Sequence, residues 1–402
     1  LPDGIDLATF DVIVVHYSLT LALESYVPEQ TKHKLAAFSG LKILFIQDEY
    51  RFVDQTCEAL RRCKFRLVFT VLPEDLIPKI YKPKDVPEIR FVPTLTGYVP
   101  EWLKAYKTIP LSDRRIDLGY RGRTYPAWHG QPSIDRIEIG RFFHRNSRSL
   151  GLRTDIKWKE KDRIYGAAWV RFTQQCRAVL STESRIEVID RHGSISNNYD
   201  AFVDLLGVRS PYDHPNRSSM RRLAQGSAEA PHLWFNEMRR RFFATEEGAM
   251  AIAVISPRVF EAAALRTLLV MYEGEYSGAL KPWRHYIPIK KDHSNAKEIS
   301  DCIKDDVRVA EIVSSCYAEV ACNPELSARN FISRFDKIIE DEMPHCELSS
   351  VPKHDKVDFY KNNPFYMFDN PYGIEVSKPR TMLSRIKEAA SLGRQAAKRI
   401  LR

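Results

Sequence analysis

The 402-residue sequence has no apolar run approaching the roughly 18–20 residues that a bilayer-spanning helix needs, so it offers no candidate membrane span. Its opening LPDGIDLATF lacks the basic, apolar and small-residue regions of a signal peptide. The seven cysteines are odd in number, and their pairs are spaced as Cys57-x5-Cys63 and Cys316-x5-Cys322. That pattern fits neither a disulfide framework nor a zinc site, and it points to reduced, packing cysteines in a cytosolic protein. Serine elbow GxSxG, HExxH and Asp-x-Asp are missing, as are GxGxxG and Walker A loops. No metal dependence is therefore expected. Internal repeats and low-complexity tracts are lacking too. What remains is an ordinary globular composition, 44% hydrophobic with 20 Phe and 18 Tyr, long enough for two sizeable cores.

The first hundred residues alternate buried-strand runs with helical patterns. FDVIVVHYS at 10–18, LKILFIQ at 41–47, RLVFTVL at 66–72 and IRFVPTL at 89–95 are the strands; helices are expected across 29–39 and 51–62, with a short one from 73. Near-continuous Val/Ile/Leu/Phe strands separated by helices indicate a parallel sheet covered on both faces. Prolines and charges at 100–115 mark a hinge. A second alternation follows: strand 114–123, helix 133–150, helical residues from 163 leading into CRAVLST, and a polar loop at 208–231. Then come helix 232–243, strand AMAIAVIS at 249–256, helix 257–265, strands 268–272 and 286–289, and helices at 295–304, 307–322 and 327–341. This is an α/β chain with two Rossmann-like halves: residues 1–110, residues 111–342, and a tail at 343–402 that is irregular before one last helical pattern. Ligands of such sheets bind beyond the strands' carboxyl ends.

Those ends hold the candidate residues. Glu261 lies early in the 257–265 helix, where it is either a ligand contact beside free N–H groups or simply a well-placed helix-dipole acid. Glu273-Gly274-Glu275 follow the next strand as ligand contacts or a solvated turn. Arg121 and Arg123 flank Gly122 in a loop suited to phosphate oxygens, or form a basic surface turn. Thr182 and Glu183 end another strand. In the first half, His16, Asp48 and Glu49 end adjacent strands and are candidates for acid–base work.

At these residues the chain resembles glycosyltransferases with two facing Rossmann-like domains, the GT-B architecture, and within them the bacterial spore-maturation-type branch. PRVFEAAA at 257–264, followed by a strand and a Gly loop, resembles that branch's donor-side signature; FDVIVVHYS, GLKILFIQDEYR, VFTVLPED and IRFVPTLTG resemble its N-terminal strands. The resemblance implies a metal-independent transfer from a nucleotide-sugar to a cell-envelope, glycan or lipid-linked acceptor. Glu261 would hold the ribose, Arg121, Arg123, Ser256 and Arg258 would face the diphosphate, and Glu273 to Gly278 would line the pocket. His16, Asp48 and Glu49 would lie on the acceptor side. It also implies a further strand–helix unit upstream of Leu1. Two departures stand out: the acid expected at 253 is Ala253, and the usual histidine of the second strand is replaced by Gln47-Asp48. A nucleotide-sugar epimerase and a non-catalytic binding scaffold are the alternatives.

The net charge of +9 is uneven. Residues 377–402 carry eight Lys/Arg against Glu388 alone, which leaves the other 376 residues nearly balanced. Nucleic acid is therefore not expected as a partner. The amphipathic pattern across 380–402 suits either an anionic membrane surface at the cytoplasmic face or docking on the first domain.

Overall fold

The computed structural model describes residues 6–159, 162–206 and 231–346. The basic tail and nearly all of the 208–231 loop lie outside the described residues.

The first sheet is parallel, with strands β1 (Val12–Val15), β2 (Leu41–Ile46), β3 (Leu67–Thr70) and β4 (Arg90–Pro93) in that order. Helix Val53–Arg62 returns the chain from β2 to β3 because Val53, Cys57 and Leu60 recur at helical spacing and are all buried. β1 is an edge, and its Val14 is exposed.

The second sheet holds β5 (Ile116–Arg121), β6 (Thr154–Lys157), β7 (Cys176–Ser181), β10 (Leu268–Tyr272) and β11 (Ile287–Ile289), all parallel in the order β11-β10-β7-β5-β6. The chain moves outward from β5 to β6 and returns to β7 on the other side, so a topological switch point lies between β5 and β7. β6, an edge strand of sequence TDIK with only Ile156 buried, has no apolar run to announce it.

AMAIAVIS holds a strand as expected, but outside the main sheet: β9 (Ile252–Val254) pairs antiparallel with β8 (Ser184–Ile186), which sets Ala253 opposite Arg185. The segment between them, with helices Ser194–Leu205 and Pro231–Met238, buries Tyr199, Trp234 and Phe235 in one core with Leu44, Leu60 and Val68 of the first domain. The Tyr50 carbonyl accepts from Asp190 N–H at 2.7 Å, and Phe52 N–H donates to the Asp190 carbonyl at 3.0 Å. Gly193 is required at this seam: its φ is +78°, and a Cβ there would lie 1.9 Å from the Phe52 ring.

Helix Ala328–Glu342 also returns to the first domain. Its Phe331, Phe335, Ile338 and Ile339 cover the opposite face of the first sheet, against Leu41, Ile43, Leu67 and Phe69. The Thr96 hydroxyl donates to the Ile255 carbonyl, and Val99 N–H donates to the Leu326 carbonyl at 2.8 Å. The two α/β sheets thus present the carboxyl ends of β2 and β5 to a shared cleft.

Candidate functional site

A cavity of about 180 Å³ lies at the switch point, lined by Tyr120 and Arg121 from β5 and Leu180 and Ser181 from β7. Five arginines line it: Arg121, Arg123, Arg136, Arg163 and Arg258, against the single carboxylate Glu183. Guanidinium groups gathered in one concave, partly dry space repel one another, and an anionic ligand relieves that repulsion.

Each arginine is held differently. Arg121 is buried and turned back onto β6, donating to the Asp155 carboxylate at 2.7 Å and carbonyl at 3.0 Å, with its plane 4.0 Å over the Phe172 ring. Its Nε finds no partner among the described residues. Arg258 donates to the Arg121 carbonyl and lies 4.6 Å over the Trp169 ring. Arg136 donates to the Glu183 carbonyl at 3.2 Å and lies over Tyr125 at 4.1 Å. Asp155 neutralises Arg121, whereas stacking and carbonyl bonds fix Arg258 and Arg136 without neutralising them.

Ser256 opens helix Pro257–Ala264, and both Ser256 and Arg258 line the cavity. Pro257 at the first helical position sets the backbone for the helix, and no side chain caps its first turn. Pro257 has no N–H and Val259 N–H donates to the Ser256 carbonyl at 3.0 Å, so what the helix turns towards the arginines is chiefly its positive end. One turn further on, Glu261 accepts from Trp169 Nε1 at 2.7 Å. Burial raises its pKa, while the Trp169 bond and the Arg258 charge oppose the rise.

Thr182 and Glu183 join this cavity to a second one of about 620 Å³ that Glu273 also lines. Glu183 accepts from Tyr276 N–H at 2.7 Å. Gly274 makes room for it, since a Cβ there would lie 2.6 Å from the Glu183 carboxyl carbon. Tyr276 and Ser277 both have positive φ, which strains the turn beside the site. Glu275 is exposed in that turn and lines neither cavity.

The three first-domain candidates separate. Asp48 is exposed in the cleft and accepts from the Tyr50 hydroxyl at 3.2 Å. Desolvation by the cleft walls pushes its carboxyl pKa up; Tyr50, Arg123 and Arg51 pull it down. Arg123 comes from the second domain, so Asp48 feels a charge from across the cleft. Glu49 turns the other way and is 1% exposed, accepting from Thr70 Oγ1 at 2.5 Å and Val71 N–H at 3.2 Å inside the first domain. Burial lifts its pKa to about 8, which makes it a structural acid rather than a cleft residue. His16 is exposed at the end of edge strand β1, its Nδ1 2.9 Å from Ser18 Oγ.

Sequence reasoning restricted to the turns after strands missed Arg136, Arg163, Trp169, Tyr125 and His129. Arg136 had a signal: it is a charged residue on the apolar stripe of helix Gln131–Arg145, among buried Ile137, Ile139, Gly140 and Phe143. His129 is buried beside Arg136, Arg123 and Arg51; desolvation first, then those charges, lower its pKa to about 3, so it is a neutral imidazole. Among the described residues no group of three or more His, Cys, Asp and Glu is arranged to hold a metal ion. No described helix is long and apolar enough to cross a membrane.

No protein-family model matches the chain, and no curated protein matches it by sequence. Among solved structures it is similar to an alpha-glucosyltransferase in complex with UDP-glucose and DNA containing an abasic site, at 10% identity and a TM-score of 0.46, over 83% of this chain and 81% of that one. It is also similar to Anabaena Alr3699/HepE in complex with UDP-glucose, at 11% identity and a TM-score of 0.40, over 82% of this chain and 79% of that one. A third similarity is to TarM, at 11% identity and a TM-score of 0.40, over 82% of this chain and 54% of that one.

Proposed function

We propose that this chain is a glycosyltransferase that binds a nucleotide-sugar at the switch point of the second sheet and passes its sugar to a hydroxyl acceptor held against the first domain. The observation that carries the reading is the arginine cradle, placed where a helix N-terminus and the end of β5 converge. Arg258, Arg136, Arg163 and Arg123, with the positive end of the helix that Ser256 opens, suit a diphosphate better than any neutral ligand.

The difficult event in such a transfer is breakage of the bond between the sugar's anomeric carbon and the phosphate oxygen. The electron pair goes to the leaving diphosphate, and fixed positive groups already in place stabilise it. Glu261, one turn inside the helix, suits the ribose hydroxyls once they compete with Trp169. The cavity shared through Thr182 and Glu183 gives the remainder of the donor space, and Glu273 lies on its wall. Closure of the two domains excludes the water that would otherwise hydrolyse the donor.

Asp48 is the base candidate. It is wet enough to meet an acceptor hydroxyl, and desolvation raises its pKa above the ordinary carboxylate value, the direction that strengthens a general base. Glu49 is withdrawn from that role by its three internal donors, Thr70, Val71 and Tyr81. His16 lies at the same sheet edge as a second acceptor contact.

For the acceptor we propose a glycan or lipid-linked hydroxyl. The test is a panel of UDP-, GDP- and dTDP-sugars read by thermal shift, then by transfer to glycan, lipid-linked and hydroxymethylated DNA acceptors. Nucleotide release that depends on acceptor supports the proposal. Conversion of the sugar without transfer marks an epimerase instead, and a chain indifferent to every nucleotide is no transferase. Transfer to DNA alone would replace the acceptor class.

A further inference from the structure

At the far end of the first sheet, away from the cleft, the turns that lead into β2, β3 and β4 enclose a groove of about 730 Å³. Its walls are apolar, with Phe38, Phe65, Val86 and Ile89, and its charged residues are Lys42, Arg61, Lys64 and Arg66 against Glu88 alone. Lys42 is the unusual member. It occupies an inward position of β2 and is 4% exposed, with its ammonium donating to the Phe38 carbonyl at the end of helix Glu29–Ala37. That bond answers one of its three N–H groups. Among the described residues none of Lys42, Arg61 and Lys64 has a carboxylate partner, although nearby Arg62 and Lys32 share Glu29. A buried ammonium normally has a counter-ion, because leaving it unpaired costs several kcal/mol per ion. Burial and the neighbouring Lys64 charge both lower its pKa.

A cation sunk in a groove whose rim adds further cations, over apolar walls, matches a small dianion with an organic remainder. A phosphate monoester carries about two negative charges at neutral pH and offers three acceptor oxygens to such a set. We propose that this groove is a second anion site that binds a phosphate monoester, with Lys42 at its floor and Arg61 and Lys64 at its rim. It is separate from the arginine cradle by the whole length of the first sheet and does not depend on what the cradle binds.

The probe is inorganic phosphate, titrated calorimetrically into the full chain in the presence of UDP. Arg61→Gln with Lys64→Gln, both at the exposed rim, should weaken binding roughly fivefold for each charge removed. Lys42→Met should weaken it as well without lowering the melting temperature, since exchanging a buried charge for an apolar side chain of similar size is commonly neutral or stabilising. Arg258→Ala, in the cleft, should leave this binding unchanged. Wild-type affinity in the rim double variant overturns the proposal, whether or not Lys42→Met folds. So does phosphate binding that vanishes with Arg258→Ala alone. Vesicles of phosphatidylcholine with and without phosphatidic acid then separate the sources. Retention on the acidic vesicles that the rim variant loses assigns a lipid headgroup, and response to inorganic phosphate alone assigns a soluble monoester. Indifference to both probes overturns the site.

Discussion

The two sheets end at the shared cleft in opposite chemistry. The second presents arginines and a helix N-terminus; the first presents Asp48, with His16 along the same edge. The second edge is also rigid, its arginines stacked on Phe172, Trp169 and Tyr125 or bonded to carbonyls. The first edge is wetter, and its candidates bond only near neighbours in sequence among the described residues, Asp48 to Tyr50 and His16 to Ser18. A rigid cationic edge suits holding an anion, and a wetter acidic edge suits meeting a hydroxyl. The contrast teaches that binding and proton handling are divided between domains, which makes each removable separately.

The sharpest break is Asp48→Asn. If Asp48 takes the acceptor's proton, transfer should fall by about 10²–10⁴-fold while UDP affinity stays within about twofold. Normal transfer in that variant would strip the first edge of its chemical role. Arg258→Ala attacks the other side: UDP binding measured by calorimetry should weaken by about ten- to a hundredfold, the worth of one charge-assisted hydrogen bond. An unchanged affinity would move the donor out of the cradle.

Gly274→Ala is a finer probe, because its methyl group would press on the Glu183 carboxyl. It should destabilise the protein by about 1–3 kcal/mol in urea unfolding, the usual cost of overpacking. A silent substitution would mean that the turn carrying Tyr276 and Ser277 yields readily.

A further, pH-dependent effect concerns Glu49. Its carboxyl pKa is raised by burial from 4.5 to about 8, so the folded chain keeps a proton that the unfolded chain releases. Its stabilising contribution is complete below the unfolded value and is lost as pH rises through the folded one, with a slope of at most about 1.4 kcal/mol per pH unit. Glu49→Gln should flatten that part of the stability curve, measured by urea unfolding between about pH 5 and 8. A wild-type slope in the variant would assign the pH dependence to another group.

Much of this arrangement was legible beforehand, for identifiable reasons. Leu268–Tyr272 is a continuous apolar run and Leu41–Ile46 is one interrupted only by Lys42, the pattern of a parallel strand covered on both faces, and both are interior strands. Ser256-Pro257 announces a helix start through a fixed φ and a missing donor, and the helix begins there. AMAIAVIS announced a strand but not its partner, because a short apolar run says how much surface must be buried and nothing about which strand buries it.

What the sequence determined by itself was therefore local: the strand runs, the helix starts and the placement of polar turns at strand ends. Asp48 and Glu49 both follow β2 as a polar turn, which the sequence announced. Only the tertiary structure decided which of them stayed wet, because that depends on Thr70, Val71 and Tyr81 closing over one side. Packing likewise brought Arg136 and Trp169, from two helices, to the loop after β5 and the start of helix Pro257–Ala264. Convergence of residues distant in sequence is set by how covered faces stack, and no local pattern encodes it.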